Sequence, residues 1–199
     1  MLSSALKWFM HYRAVVFFLW LILKIFGRIE YKGRENFPPQ GTPFIFCSNH
    51  DTYLDPPILA VTCRHRLGFL AKEELFGNKM FGFIIHSLGA IPLDRNSSDV
   101  RAIRTALKIL KTRPMVVFPQ GTRGRTLYDY DAGAGFLAKK ANVPVIAAHI
   151  YGAENILPKG KKFLSFSKIR VVVGKVEDIT PSDTYEEISA KIMAKIRSL

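Results

Sequence analysis

His50 and Asp55 stand with four residues between them in Ser48-Asn49-His50-Asp51-Thr52-Tyr53-Leu54-Asp55. An imidazole whose one nitrogen is held by a carboxylate has its tautomer fixed, and its other nitrogen is free to take a proton from a hydroxyl. That is a base with an orienter and no enzyme nucleophile, which suits direct attack by a substrate alcohol on an activated acyl group. Five residues of regular helix would leave the two side chains roughly 140° apart, so a turn must bring them together. Alone, the pair reads equally as a histidine satisfied by a carboxylate at a helix start.

The elements around the pair are expected to supply that turn. Phe44 to Cys47 is apolar, aromatic or β-branched, and follows Gly41 and Pro43, as a buried strand does. Asp55-Pro56 has the form of a helix start, with the missing proline N–H costing nothing in the first turn. Further along, strands are expected at 67–71, 89–95, 115–118, 143–150 and 169–173, with an edge strand at 29–32. Helices are expected to continue through 58–63, and at 97–110, 133–140 and 183–199. In the helix begun by Ser97 or Ser98, Val100, Ile103, Leu107 and Leu110 share one face. Alternating strands and helices predict an α/β domain with a mostly parallel central sheet flanked by helices. Three loops then leave strand ends together: the one with His50, the one reaching Arg95, and Pro119-Gln120-Gly121-Thr122-Arg123. Arg95 and Arg123, with Lys72 as a third cation, suit a phosphate, and Gly121 lets backbone N–H groups approach the same anion.

The chain has 199 residues, enough for one domain with a real core. Its 29 Lys and Arg against 16 Asp and Glu give +13, a surface that seeks nucleic acid, anionic lipid or phosphorylated small molecules. A hydrophobic content of 48% and fifteen Phe argue against a disordered basic tail and a purely polar nucleic-acid module. Cys47 and Cys63 have no zinc or disulfide spacing and read as buried reduced thiols.

Residues 1–28 form a separate compositional segment before a domain at 29–199. Ala14 to Leu23 is an apolar decamer, ~15 Å as a helix and half of a ~30 Å hydrocarbon core. Lys7, Arg13, Lys24 and Arg28 flank it, and Trp8, Tyr12 and Trp20 supply interfacial aromatics. The expectation is a helical segment lying in the interface of the cytoplasmic leaflet. Packing on the protein's own core, or a tilted span using residues 5–26, are the other readings. The apolar run within 73–88 reads equally as core and as contact for an acyl chain.

Several stretches together resemble the glycerolipid acyltransferases, specifically the bacterial 1-acylglycerol-3-phosphate acyltransferases. His50 and Asp55 are similar to the family's first motif, and Gly89-Ala90-Ile91-Pro92-Leu93-Asp94-Arg95 to its second. Phe118-Pro119-Gln120-Gly121-Thr122-Arg123 resembles the third and Val143-Pro144-Val145-Ile146 the fourth. The four lie in order between about residues 30 and 175. The resemblance implies that His50 deprotonates the acceptor's 2-hydroxyl, oriented by Asp55, with the phosphate on Arg95, Arg123 and Lys72. Gln120, Gly121 and Thr122 would shape the acceptor site, and the fourth motif the acyl tunnel. The product would be phosphatidate, and the donor an acyl carrier protein or coenzyme A thioester. No cofactor or metal is implied, because thioester to ester is downhill. The implied partners are lysophosphatidate, the thioester carrier and the bilayer, with no nucleic acid. Two positions depart from the pattern. Gln120 stands where the third motif has Glu, keeping an acceptor for a glycerol hydroxyl without the charge, and Ala147 replaces a second proline in the fourth.

Other readings remain. A sister acyltransferase would act on glycerol 3-phosphate or another lysophospholipid, and a non-catalytic protein would bind anionic lipid or nucleic acid through its charge alone. Cys47 and Ser48 are alternative nucleophiles, the first expected to be buried and the second to order the turn. Gly133-Ala134-Gly135-Phe136-Leu137-Ala138 matches a dinucleotide pattern but follows a polar turn instead of a strand.

Overall fold

The structure is a computed structural model and describes residues 4–93, 99–156 and 165–199. Arg95, Ser97, Ser98 and the basic stretch 159–162 lie outside the described residues. A five-stranded sheet holds the centre, in the order β1-β7-β6-β2-β5. Its strands are β1 (Glu30–Lys32), β2 (Ile45–Ser48), β5 (Met115–Val117), β6 (Val145–Tyr151) and β7 (Arg170–Lys175). β2 lies parallel to both β5 and β6, β1 lies parallel to β7, and only the β6–β7 pair is antiparallel. Two more parallel strands, β3 (Phe69–Lys72) and β4 (Ala90–Leu93), form a small second sheet. A parallel bridge from Gly68 to Met115 joins it to the edge at β5. The expected mostly parallel α/β domain is the observed one.

Period-two alternation divides the strand side chains between two helical layers. Phe44, Phe46, Ile146, Ala148 and Ile150 face the layer of α1 (Ser4–Phe26), α2 (Asp55–Thr62) and α3 (Lys79–Ser87). Ile45, Cys47, Val145 and Ala147 face α4 (Asp99–Leu110), α5 (Gly133–Ala141) and α7 (Tyr185–Ser198). A single turn, α6 (Ala153–Ile156), follows β6. On α7 the buried stripe is Ile188, Ile192, Met193 and Ile196, and Thr184 with Glu187 closes a capping box at its start. The stripe on α4 differs from the expected one. Ala106, Ile109 and Leu110 are buried, Ile103 and Leu107 pack beside them, and Val100 is exposed at the helix start.

The second glycine of the dinucleotide-like sequence, Gly135, has a packing role instead. A Cβ there would overlap the Tyr185 carbonyl, and the Gly135 N–H donates to Ser189 Oγ at 2.9 Å. The bare Cα lets α5 and α7 pack backbone to backbone, and no strand precedes it.

The amino-terminal helix α1 is joined to the domain core. Tyr12 and Leu23 of α1 are buried in it, with Val15, Val16 and Leu19 packed alongside. The buried Tyr12 hydroxyl donates to the His65 carbonyl at 3.2 Å. The opposite face leaves Met10, Phe17, Phe18, Leu21 and Ile25 exposed. Among the described residues, no helix is long and apolar enough to cross a membrane.

Candidate active site

β2 delivers the chain to a turn that is fastened from three sides. Asn49, buried, continues the β2–β6 ladder with its side chain: its Oδ1 accepts from Ile150 N at 2.8 Å and its Nδ2 donates to Ile150 O at 2.9 Å. The next residue, His50, presents Nδ1 to Asp55 Oδ2 at 2.9 Å. Asp55 is the first residue of α2 and is 1% exposed. The same Oδ2 accepts from the backbone N–H groups of Asp51 and Thr52 at 2.7 and 2.8 Å, and Oδ1 accepts from Thr52 Oγ1 at 2.9 Å. The turn therefore folds back onto the carboxylate, which closes the angular gap that a regular helix would leave. With Asp55 engaging Nδ1, the imidazole carries its lone pair on Nε2.

The third fastening comes from the loop after β5. Phe118 stacks on the His50 ring, with centroids 3.9 Å apart and an interplanar angle of 15°. Gln120 is wholly buried; its Oε1 accepts from His50 N at 2.7 Å. Its Nε2 donates to the carbonyls of Arg125 and Thr126 at 2.5 and 3.3 Å. The His50 carbonyl in turn accepts from Gly124 N at 3.2 Å. Gly121 and Gly124 both hold positive φ, 71° and 77°, and so allow the loop its tight return past His50.

His50 borders a cavity of about 290 Å³. Its walls are apolar, including Leu75, Phe81, Ile85 and Leu88 from the run within 73–88, and Phe69. Its polar lining includes His50, Tyr53, Lys72, Thr122 and Arg123, and Gly121 also borders it. The Arg123 guanidinium lies 3.3 Å from the Tyr53 ring centroid, a cation–π seat that holds it beside the His50 turn.

His50, Asp55, Lys72, Gly121, Thr122 and Arg123 are thus gathered at the carboxyl ends of β2, β3 and β5. Gln120 is not among the cavity's lining residues: it is a strut between two loops, enclosed where a glycerol hydroxyl does not reach it. The fourth motif, Val143 to Ile146, also contributes no residue to the cavity's lining: Val145 faces α5 and α7, and Ile146 is buried on the other face of the sheet. Cys47 is fully enclosed in β2 and burial pushes its thiol far up; Ser48, also buried, donates to Asn49 Oδ1 at 3.2 Å. Asn49, Phe118 and Tyr53 also hold the site, by a ladder-like pair, a ring stack and a cation–π seat that local spacing does not announce. The signal for Asn49 was a carboxamide directly behind a buried strand, where a side chain can stand in for a peptide group.

Comparison with known proteins identifies the family of the chain. The Acyltransferase family model matches residues 28–151, and the chain belongs to that family. It is 31% identical over 169 residues to the 1-acyl-sn-glycerol-3-phosphate acyltransferase of Streptococcus pneumoniae, covering 83% of this chain and 61% of that one. The Bacillus subtilis protein of the same name is 28% identical over 157 residues, covering 78% of this chain and 76% of its own length. The chain thus spans about three-fifths of the pneumococcal relative and three-quarters of the Bacillus one. In fold it is similar to the crystal structure of the 1-acyl-sn-glycerophosphate acyltransferase of Thermotoga maritima. The TM-score is 0.81 at 23% identity, over all of this chain and 82% of the other.

Proposed function

We propose that this protein transfers a fatty acyl group from a thioester to the 2-hydroxyl of 1-acylglycerol 3-phosphate, giving phosphatidate. The observation that carries the reading is His50 held through Nδ1 by a buried Asp55 at the mouth of an apolar cavity flanked by Arg123 and Lys72. His50 Nε2 removes the proton of the acceptor hydroxyl, and the oxygen attacks the thioester carbonyl. The C–S bond breaks, and the leaving thiolate takes the proton back from the imidazolium. Asp55 keeps Nδ1 protonated and stabilises the transient imidazolium. Arg123 and Lys72 hold the acceptor's phosphate, with Arg95 as the further cation that the second motif implies. Leu75, Phe81 and Ile85 receive the acyl chain. The donor is acyl carrier protein or coenzyme A thioester, and the names of the relatives support lysophosphatidate as acceptor. The exposed apolar face of α1 supports a peripheral seat on the membrane, and the cytoplasmic surface is the side this reading assigns.

The test is transfer of a labelled acyl group from its thioester to 1-acylglycerol 3-phosphate, wild type beside His50→Ala. The variant is expected to lose ~10²–10⁴ in turnover. Equal rates in both would remove His50 from the mechanism. Transfer to glycerol 3-phosphate or a neutral lysolipid in preference to lysophosphatidate would reassign the acceptor and keep the chemistry.

A further inference from the structure

A second cavity, of about 1320 Å³, lies at the opposite end of the sheet. Its lining comes from the segments that enter the strands: Gln40 and Gly41 before β2, Arg64 to Arg66 before β3, and Arg113 and Pro114 before β5. These strands are parallel, so the cavity is separated from His50 by at least the ~13 Å length of β2. Five arginines contribute to it, and none of the described lining residues is acidic.

Three of the five, Arg34, Arg66 and Arg113, are partly buried. Arg34 lies 4.5 Å from the Tyr31 ring centroid, and its Nε is buried without a hydrogen-bond partner. Arg113 is pressed against two bare backbones. A Cβ on Gly68 would stand 3.4 Å from its Nε, and one on Gly89 3.6 Å from its Nη1. Burial holds the Arg113 and Arg66 guanidinium groups below their ordinary range, and the charge of Arg113 lowers Arg66 further. Like charges held together and partly desolvated are relieved by an anion.

The remaining wall indicates which anion. Val16, Phe17 and Trp20 of α1 line the same cavity, and the Phe17 and Trp20 rings stack at 5.8 Å. Phe17 is 64% exposed, and with Phe18, Leu21 and Ile25 it continues the wall onto the open apolar face of the helix. Aromatic rings at headgroup depth beside arginines at phosphate depth are the arrangement of a membrane interface. On its other flank α1 meets α3, where His11 lies 3.0 Å from Ser87 and edge-on to Phe83, and α3 supplies Phe81 and Ile85 to the His50 cavity.

We propose that this arginine-lined groove is a second phosphate site, distinct from the acceptor site, which takes the headgroup of an anionic membrane phospholipid. Bound there, the headgroup fixes α1 against the bilayer and brings the His50 cavity to the lipid surface. The site does not depend on the acyl-transfer reading.

The experiment is flotation of the full chain with phosphatidylcholine vesicles, with and without phosphatidylglycerol. Wild type is compared with Arg64→Gln, with Arg64→Gln/Arg113→Gln, and with the charge-matched control Lys140→Gln/Lys175→Gln. Thermal melts establish that each variant is folded; Arg64 is exposed, so Arg64→Gln keeps the comparison if the double variant does not fold. The groove double variant is expected to lose at least tenfold in affinity for anionic vesicles, Arg64→Gln severalfold, and the control less than either. Equal losses in groove and control variants would overturn the site. Displacement from vesicles by millimolar inorganic phosphate, equally in wild type and control, would assign the groove to a soluble phosphate and overturn the lipid. Acyl transfer to micellar acceptor should be unchanged in Arg64→Gln, while His50→Ala should bind vesicles as wild type does, so the two readings fail separately.

Discussion

At the scale of single residues, the His50 site depends on groups that never reach the cavity. Gln120 both accepts from His50 N and donates to two carbonyls, a pattern open to a carboxamide and closed to a carboxylate. Gln120→Glu would set a carboxylate oxygen against the carbonyls of Arg125 and Thr126. Unfolding in urea should show a loss of at least ~2 kcal/mol, the cost of a buried group left without its partner. If stability and turnover are both unchanged, the strut role is wrong. Arg123→Ala should mainly raise KM for the phosphorylated acceptor, because the side chain lines the cavity beside His50 and, among the described residues, makes no hydrogen bond to it. A fall in turnover with KM unmoved would instead place Arg123 in the chemical step.

At the scale of elements, α7 is docked through two unusual contacts. One is the close crossing at Gly135, where Ala should cost about 1–3 kcal/mol by overpacking, read in urea unfolding. The other is His149, whose Nδ1 donates to Ile196 O at 2.8 Å while its ring stacks on Tyr151 at 4.0 Å. Burial pushes this imidazole below its ordinary value, against the pull of Ile196 and Asp51. The unfolded chain therefore takes the proton more readily than the folded one. The stability that this difference carries is complete above pH ~6.5 and is lost as pH falls through the lower folded value. His65, lowered by burial in the same way, acts in the same direction. The urea midpoint should drop between pH 7 and pH 5, and drop less in His149→Gln.

At the scale of the whole molecule, α1 serves two surroundings at once, with Tyr12 and Leu23 in the core and Phe17 and Phe18 outside it. Phe17→Ser/Phe18→Ser should leave the thermal midpoint nearly unchanged, since both rings are more than half exposed, and should weaken vesicle binding. A large drop in midpoint would show that these rings are covered by protein. Much of this plan was legible beforehand. The β–α alternation, the strand before His50 and the helix start at Asp55 follow from periodicity and turn chemistry, which act over a few residues. The stripe on α4 was misplaced at Val100, because a helix end can project past the surface that its middle covers.

The sequence by itself determined the α/β class, the pairing of His50 with Asp55 across a strand-to-helix turn, the place of Arg123 in the loop after β5 and the amphipathic character of α1, since each is written in local spacing. Only the tertiary structure decided what those residues meet. Phe118 and Gln120 reach His50 because β5 lies beside β2, and Asn49 pairs with Ile150 because β6 lies on the other side. The arginine groove gathers Arg13 from α1, Arg34 from the turn after β1, Arg64 and Arg66 from the segment entering β3, and Arg113 from the turn entering β5. Strand order creates these neighbours, and it is set by the burial of two whole helical layers against one sheet, a global balance that no local pattern encodes.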